Sequence, residues 1–467
     1  MSSSTTQTVE PVVCHLKAEV EAKDVTYGFL RSKIPAHCFE RSALKAFAYL
    51  FRDIVYASAL VWLALHIDHL PSPTLRVGAW ILYTFLQGCV GTGMWIIGHE
   101  CGHGAFSKFP LLNDVVGWAI HSALMVPYFS WKITHARHHR YHAHIDKDVV
   151  FVPPTEAEIE NQQPTLYTKF VELVEETPLY HAVTLLGHQL FGWQLYMLFN
   201  VSAGNKSLPP KDSGVRMFRN SHVDPFGSLF KDSQAHLVAI TDLGLLLVGG
   251  ALYYLATQIG AWKVALLYIV PYLWVHQWLV AITYLHHTHP TVPHYDEKAW
   301  TFVKGALCTV DRRFGFIGRH FFHEIIDYHV IHHLFPRIPF YHAEEATEAI
   351  VPFLGDQYRL DQGFYLKSLV DTFVLFRLKP GVTPAQLSTW SQITQAMVGK
   401  IPGLTSIKTG QPLPISVPRA KGFDMGLVAI LETPEHVATY ATHPAHLEVH
   451  KMREELCEDT LAYDLEF

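Results

Sequence analysis

Long apolar runs separated by polar, histidine-rich connections set the pattern of this chain. Four runs reach the roughly 20 residues that cross a bilayer: about Asp53–Leu70, Leu75–Gly98, His236–Gln258 and Trp262–Leu285. Gly, Tyr and Trp are enriched in them, which fits membrane helices better than a large soluble helical protein. Two further runs, Gly117–Phe129 and His181–Asn200, are shorter or more polar and read as buried or interfacial helices.

From about Ser368 the rhythm changes. Thr372–Leu378 alternates as a strand. Thr383-Pro-Ala-Gln386 reads as a capping box with Pro at the first helical position. Leu387, Trp390, Ile393, Met397 and Ile401 then recur at helical spacing, and Gly403 ends that helix. Thr405–Lys408 and Gly426–Leu431 read as strands, Thr433-Pro434 opens another helix, and Leu461–Phe467 alternates as a final strand. The order βαββαβ is that of a ferredoxin-like α+β sandwich. The expected fold class is therefore mainly α, a four-span transmembrane helical domain with a cytosolic cap, followed by a small α+β domain. The expected boundaries are a disordered tail over 1–24, a membrane domain over 25–365 and the α+β domain over 368–467.

Composition sharpens this picture. Charged residues make up only 17% of the chain and the mean hydropathy is +0.13, consistent with membrane residence. The net charge of −6 says little about partners, and the absence of a basic stripe makes no nucleic-acid partner the expectation. Six scattered cysteines with no CxxC pair fit a reducing compartment without a disulfide framework. Met1–Gln7 is rich in Ser and Thr, no secretory signal follows, and the first apolar run continues as a span. Arg31, Lys33, Arg41, Lys45 and Arg52 precede the first span; Arg312, Arg313, Arg319 and Arg337 follow the fourth. That excess puts both termini in the cytosol, although Arg76 and Lys263 sit near the far side.

The candidate chemistry lies in three clusters: His99-Glu-Cys-Gly-His103, His135-Ala-Arg-His138-His139 and His329-Val-Ile-His332-His333. Residues at i, i+3 and i+4 share a helix face, so each cluster can aim two or three imidazoles at one point. At this histidine frequency a His-x-x-His-His match arises by chance about 0.1 times in a chain of this length; it occurs twice. Eight imidazoles are too many for one ion and suit two, of iron, zinc or copper. An even number of spans separates the clusters, so all three face the cytosol. Cys101, inside the first cluster, reads as a packing residue. Glu100, Asp146, Asp148, Glu324 and Asp327 are candidates to orient the rings.

At these residues the chain resembles the membrane fatty acid desaturases of the Δ12 (oleate) and ω3 class, in a fungal form. Gly98-His-Glu-Cys-Gly-His-Gly-Ala-Phe106 resembles that family's first box. Phe129-Ser-Trp-Lys with His135-Ala-Arg-His-His resembles the second; Phe314-Gly-Phe-Ile-Gly-Arg-His with His329-Val-Ile-His-His-Leu-Phe resembles the third. Thr283-Tyr-Leu-His-His-Thr-His-Pro through Pro293-His-Tyr295 is similar to the segment before it. The likeness covers roughly 25–365. It implies an endoplasmic reticulum enzyme with two iron ions on histidine ligands, O2-dependent desaturation of an 18-carbon unsaturated acyl lipid, and acetylenase, conjugase or hydroxylase chemistry as alternatives. A membrane metal-dependent hydrolase or receptor is the weaker alternative. The implied ligands are His99, His103, His135, His138, His139, His329, His332 and His333, with a ninth just past the fourth span. His287 and His289 both fit that place; the family pattern leaves His286 variable and favours His287. No haem-binding His-Pro-Gly-Gly is present, so the resemblance implies electrons from a separate cytochrome b5 and its NADH-dependent reductase. One segment departs from the family: Arg140-Tyr-His-Ala-His144 adds two imidazoles where a small polar stretch is usual, which bears on the product formed.

The C-terminal segment, Leu369–Phe467, resembles the dimeric α+β barrels of the stress-responsive A/B barrel family. Phe373-Val-Leu-Phe-Arg-Leu-Lys-Pro-Gly381, Tyr440 and His443-Pro-Ala-His446 carry the likeness. It implies a homodimerising or ligand-binding module. Some members are polyketide cyclases using a Tyr and the second His of His-Pro-x-His, which Tyr440 and His446 match. His443, His446 and His450 can share a helix face, but the pattern supplies no cysteine or carboxylate to complete a metal site.

Overall fold

A computed structural model describes residues 25–153, 178–204, 207, 220–289, 292–361, 371–379, 381–411, 423–431 and 435–463. The expected tail over 1–24, the Thr433-Pro434 helix start and the last four residues of the expected final strand lie outside them.

Four helical segments are long and apolar enough to cross a membrane: Ala43–His69, Pro73–His103, Asp232–Ile259 and Ala261–His287. They match the four apolar runs, with one correction. The first begins ten residues before Asp53, because Ser42 caps it by accepting a hydrogen bond from Lys45 N at 3.3 Å. Asp53 therefore sits inside the helix. It is only 2% exposed, and Arg52 and His323 pair with it at 2.8 Å each.

The second span is the spine. Pro73 occupies its first turn, where a missing N–H costs nothing. Glycines let neighbours approach its backbone. A Cβ at Gly98 would lie 2.3 Å from the His121 ring, and one at Gly88 2.3 Å from Trp274 Cβ. Small residues at such crossings are the usual device for tight packing between membrane helices. The span stops at Gly104, whose φ of +72° is the left-handed cap that an L side chain resists.

Shorter helices complete the cap at one end of the spans: Pro110–Ala123, Tyr128–Tyr141, His329–Leu334 and Ala343–Ile350. The N-terminal segment joins them. Leu30, Ile34 and Cys38 are buried in one core with Tyr328, Ile331 and Leu334. A second core, including Trp95, Trp131, Trp193 and Trp278, fills the space between spans two and four.

The C-terminal domain has the expected order. Its strands are β1 Asp371–Leu378, β2 Leu404–Gly410, β3 Met425–Leu431 and β4 Cys457–Tyr463, antiparallel in the order β2-β3-β1-β4. This is the ferredoxin-like arrangement. The capping box at Thr383 and Gln386 forms as read. Two details differ. The second helix is broken at His443-Pro444 into Glu435–Thr442 and Pro444–Leu456, since Pro444 cannot donate within a continuous helix. β4 starts four residues early, at Cys457, where pairing of Cys457 with Leu378 outweighs the alternation seen further on.

Candidate metal centre

Each histidine cluster stands at a place the fold converges on. His99 and His103 end the second span, and His287 ends the fourth. His135, His138 and His139 lie on one helix; His329, His332 and His333 fill most of another. Donor atoms of His99, His103, His135, His139 and His332 all lie within 4.8 Å of one another, and so do those of His138, His287 and His333. His329 Nε2 joins the second group, 3.3 Å from His287 Nε2.

The spacing within each group is that of ligands around an ion. The Nε2 atoms of His99 and His103 are 3.2 Å apart, those of His135 and His139 3.1 Å, and those of His139 and His332 3.1 Å. Two nitrogens bound about 2.1 Å from one metal would be separated by roughly 3.0–3.4 Å. His333 is the sharper test. It is 1% exposed, yet neither ring nitrogen has a hydrogen-bond partner among the described residues. A buried imidazole with nothing to bond costs free energy unless a cation fills the gap. Burial, reinforced by neighbouring imidazoles, also holds His135, His139, His329, His332 and His333 well below the usual histidine range. They are neutral, as metal ligands must be.

Surrounding residues fix the rings. His138 Nδ1 donates to Asp148, 2.9 and 3.0 Å from its two oxygens, which leaves Nε2 as the lone-pair nitrogen. Burial acts to raise the Asp148 carboxyl, but His138 and His142 outweigh it and hold the group below the usual carboxylate range. Glu100 Oε1 is 3.5 Å from His99 Nδ1. Of the other candidate carboxylates, Asp327 accepts from Phe314 N and Glu324 lines a cavity with Tyr49 and Arg319, so neither orients a box ring. The Asp146 backbone N–H donates to His144.

Two kinds of supporting residue lie outside the histidine spacing. Asp311 is fully buried and accepts from Val330 N at 2.7 Å, anchoring the start of the third-box helix, while Tyr358 Oη donates to its other oxygen at 2.8 Å. Tryptophans form the walls: Trp131 stacks on His135 with centroids 4.3 Å apart, and Trp95 lies stacked between His99 and His121.

The open choices near the fourth span separate clearly. His286 points both ring nitrogens at carbonyls, Ile282 O at 2.6 Å and Ile326 O at 3.0 Å, so it has no nitrogen free for a metal. His287 lies in the cluster; His289 is half-buried near Arg312 and outside it. The two additional imidazoles also part. His142 is buried against His138, His287 and His333, with centroids 4.9, 4.6 and 4.4 Å away. Its Nδ1 donates to Gly305 O at 2.8 Å, and burial pushes its pKa down to about 3. His144 instead donates to Glu297 at 3.0 Å. Cys101 is buried in an apolar core, as expected of packing.

In the C-terminal domain, Tyr440 and His446 meet with ring centroids 4.3 Å apart, and His446 Nδ1 donates to Ala441 O at 3.2 Å. Tyr440 is buried, and burial keeps His446 below its ordinary pKa.

Comparison with known proteins bears on both parts. Residues 75–364 match the family described as fatty acid desaturase, and residues 370–467 match the stress responsive A/B barrel domain. An oleate hydroxylase of Claviceps purpurea is 45% identical over 351 residues, covering 72% of this chain and 73% of that protein. A Delta(12) fatty acid desaturase of Mortierella alpina is 43% identical over 345 residues, covering 72% and 84%. Among solved structures, a dimeric ferredoxin-like protein of unknown function from Bacteroides fragilis is 25% identical, with a TM-score of 0.19, over 21% of this chain and 95% of that one.

Proposed function

The chain belongs to the fatty acid desaturase family, and we propose that it uses O2 to desaturate the Δ12 or ω3 position of an 18-carbon unsaturated acyl lipid. It is a membrane oxidoreductase carrying histidine clusters fit for a metal. The observation that carries the metal part of that reading is His333, buried with both ring nitrogens unpartnered among the described residues beside His138 and His287; the Δ12 part is supported by the 43% identity to a Delta(12) fatty acid desaturase. One iron would be held by His99, His103, His135, His139 and His332, the other by His138, His287, His329 and His333. Iron suits the reaction because it changes oxidation state, whereas zinc does not. Bound there, the pair supplies O2 activation and hydrogen abstraction from an unactivated methylene.

The chain's own residues prepare that chemistry. Asp148 keeps the proton on His138 Nδ1, so the opposite nitrogen remains a donor to metal. Asp311 holds the start of the helix carrying His329, His332 and His333. Trp95 and Trp131 pack against the imidazoles and exclude water from that side. Electrons come from outside, from cytochrome b5 with its NADH-dependent reductase. The proposed setting is the endoplasmic reticulum membrane, with both termini and the boxes cytosolic, as the basic flanks of the spans favour.

Hydroxylation at the same carbon is the second reading, favoured by the 45% identity to an oleate hydroxylase. We further propose that 25–365 and 368–467 act as separate domains, the latter a dimerising or ligand-binding module in which Tyr440 and His446 line the barrel mouth. Expression in yeast with fatty acids profiled by gas chromatography tests the main reading. A new 18-carbon diene or triene is expected; a hydroxylated acid selects the second reading, and an unchanged profile with iron bound sinks both.

A further inference from the structure

A separate group of metal donors lies on the cap, apart from the two imidazole groups. His37 and Cys38 are neighbours in the 3-10 turn Ala36–Phe39, and His342 and Glu345 flank the start of the helix Ala343–Ile350. One donor atom from each lies within 4.8 Å of the other three. His37 Nε2 is 2.8 Å from Glu345 Oε2 and 3.8 Å from Cys38 Sγ, and the His37 and His342 rings meet edge to face at 5.6 Å.

A half-exposed His–Glu pair alone is ordinary and weak. The buried thiol and a second imidazole add two further donors to that pair. Cys38 is fully buried beneath it, with Sγ 3.8 Å from His37 Nε2. With a divalent cation the same arrangement is complete: thiolate and carboxylate balance its charge, and two imidazoles fill a tetrahedron. One sulfur, two nitrogens and one oxygen suit zinc, and four protein donors with no open position mark a structural site rather than a catalytic one. Tetrahedral donors stand roughly 3.3–3.7 Å apart, so the His37–Glu345 contact at 2.8 Å would open and the wider separations, all within 4.8 Å, would close around the ion.

We propose that His37, Cys38, His342 and Glu345 form a structural zinc site that clasps the N-terminal segment to the helix behind the third histidine cluster. Both ends of the clasp pack into the core that contains Tyr328, Ile331 and Leu334, so the ion would brace the wall carrying His329, His332 and His333.

The test uses the full-length protein purified in detergent without chelator from zinc-supplemented cells, with zinc and iron both counted per chain. About one zinc is expected in addition to the iron, with one sulfur scatterer at the zinc X-ray absorption edge. His342→Gln and Glu345→Gln change polar, solvent-reaching side chains and should fold; each should lose the zinc and keep the iron. Mild chelation should lower the melting temperature of the parent chain and not of these variants. A parent chain without zinc would leave a hydrogen-bonded His–Glu pair only and overturn the site. Zinc retained in both variants would overturn it too, because the ion would then belong to the imidazole groups.

Discussion

At the scale of single residues, spacing told more than identity. The i, i+3, i+4 rule brought out eight box histidines that the fold does bring together, because each cluster lies on one helix face or helix end. It was silent on Asp311 and Trp95, whose roles depend on contacts across the chain. Asp148 was legible only as one carboxylate among five, since nothing in its local pattern shows it reaching His138. These roles can be ranked by measurement. His333→Ala should remove iron from the second group and abolish product, because no neighbouring side chain replaces the imidazole. Asp148→Asn keeps the shape but weakens the hold on the His138 tautomer, and should cost about 10–100-fold in iron affinity or activity. His287→Ala should be as damaging as a box mutation, while His286→Ala should leave iron content intact, since its nitrogens already face carbonyls. The reverse ranking, read by metal analysis, would move the ligand role to His286. His142→Ala should change the ratio of hydroxylated to desaturated product or lower turnover, and His144→Ala should do neither, because His144 turns to Glu297.

At the scale of elements, hydropathy located all four spans but misjudged where the first begins. A window scores Asp53 as a charge outside the membrane, whereas its partners Arg52 and His323 let it sit inside the helix. His323 lies 270 positions away and takes a φ of +48°, so no local reading shows the pairing. The short third-box helix was legible only through its histidines; its six residues carry too little pattern, and Asp311 supplies the anchor from another element. Asp311→Ala should therefore strip that helix of a buried acceptor. The expected loss is about 1–3 kcal/mol, seen as a lower melting temperature and as iron lost from the group that includes His329 and His333. The spine makes a second prediction at this scale. Gly98→Ala would drive a methyl group into the His121 ring at 2.3 Å. The cost of such overpacking is about 1–3 kcal/mol, and it falls beside His99, so activity should drop further than stability. Unchanged activity would mean that His121 swings away without moving Trp95.

At the scale of the whole molecule, the proposed division into two domains places the joint at the change of rhythm near Ser368. Met425, Leu427, Ala429 and Leu431 face the domain's own helices and are buried. Gly426, Val428 and Ile430 alternate to the other face and are only half-covered. A sheet with one covered face and one apolar face left open is what a second copy can close, so the isolated segment from Leu369 to Phe467 should fold and run as a dimer in light scattering. A chain ending near Gly363 keeps every box histidine and should retain iron and at least part of its activity. The same division decides what Tyr440 and His446 do. Their ring centroids pack 4.3 Å apart, yet neither belongs to the imidazole groups. Tyr440→Phe and His446→Ala should thus leave the fatty acid profile of the full chain unchanged while altering any ligand the barrel holds. If either substitution removes the oxidised product while iron stays bound, the barrel is part of the catalytic cycle, and the two cores function as one enzyme rather than two.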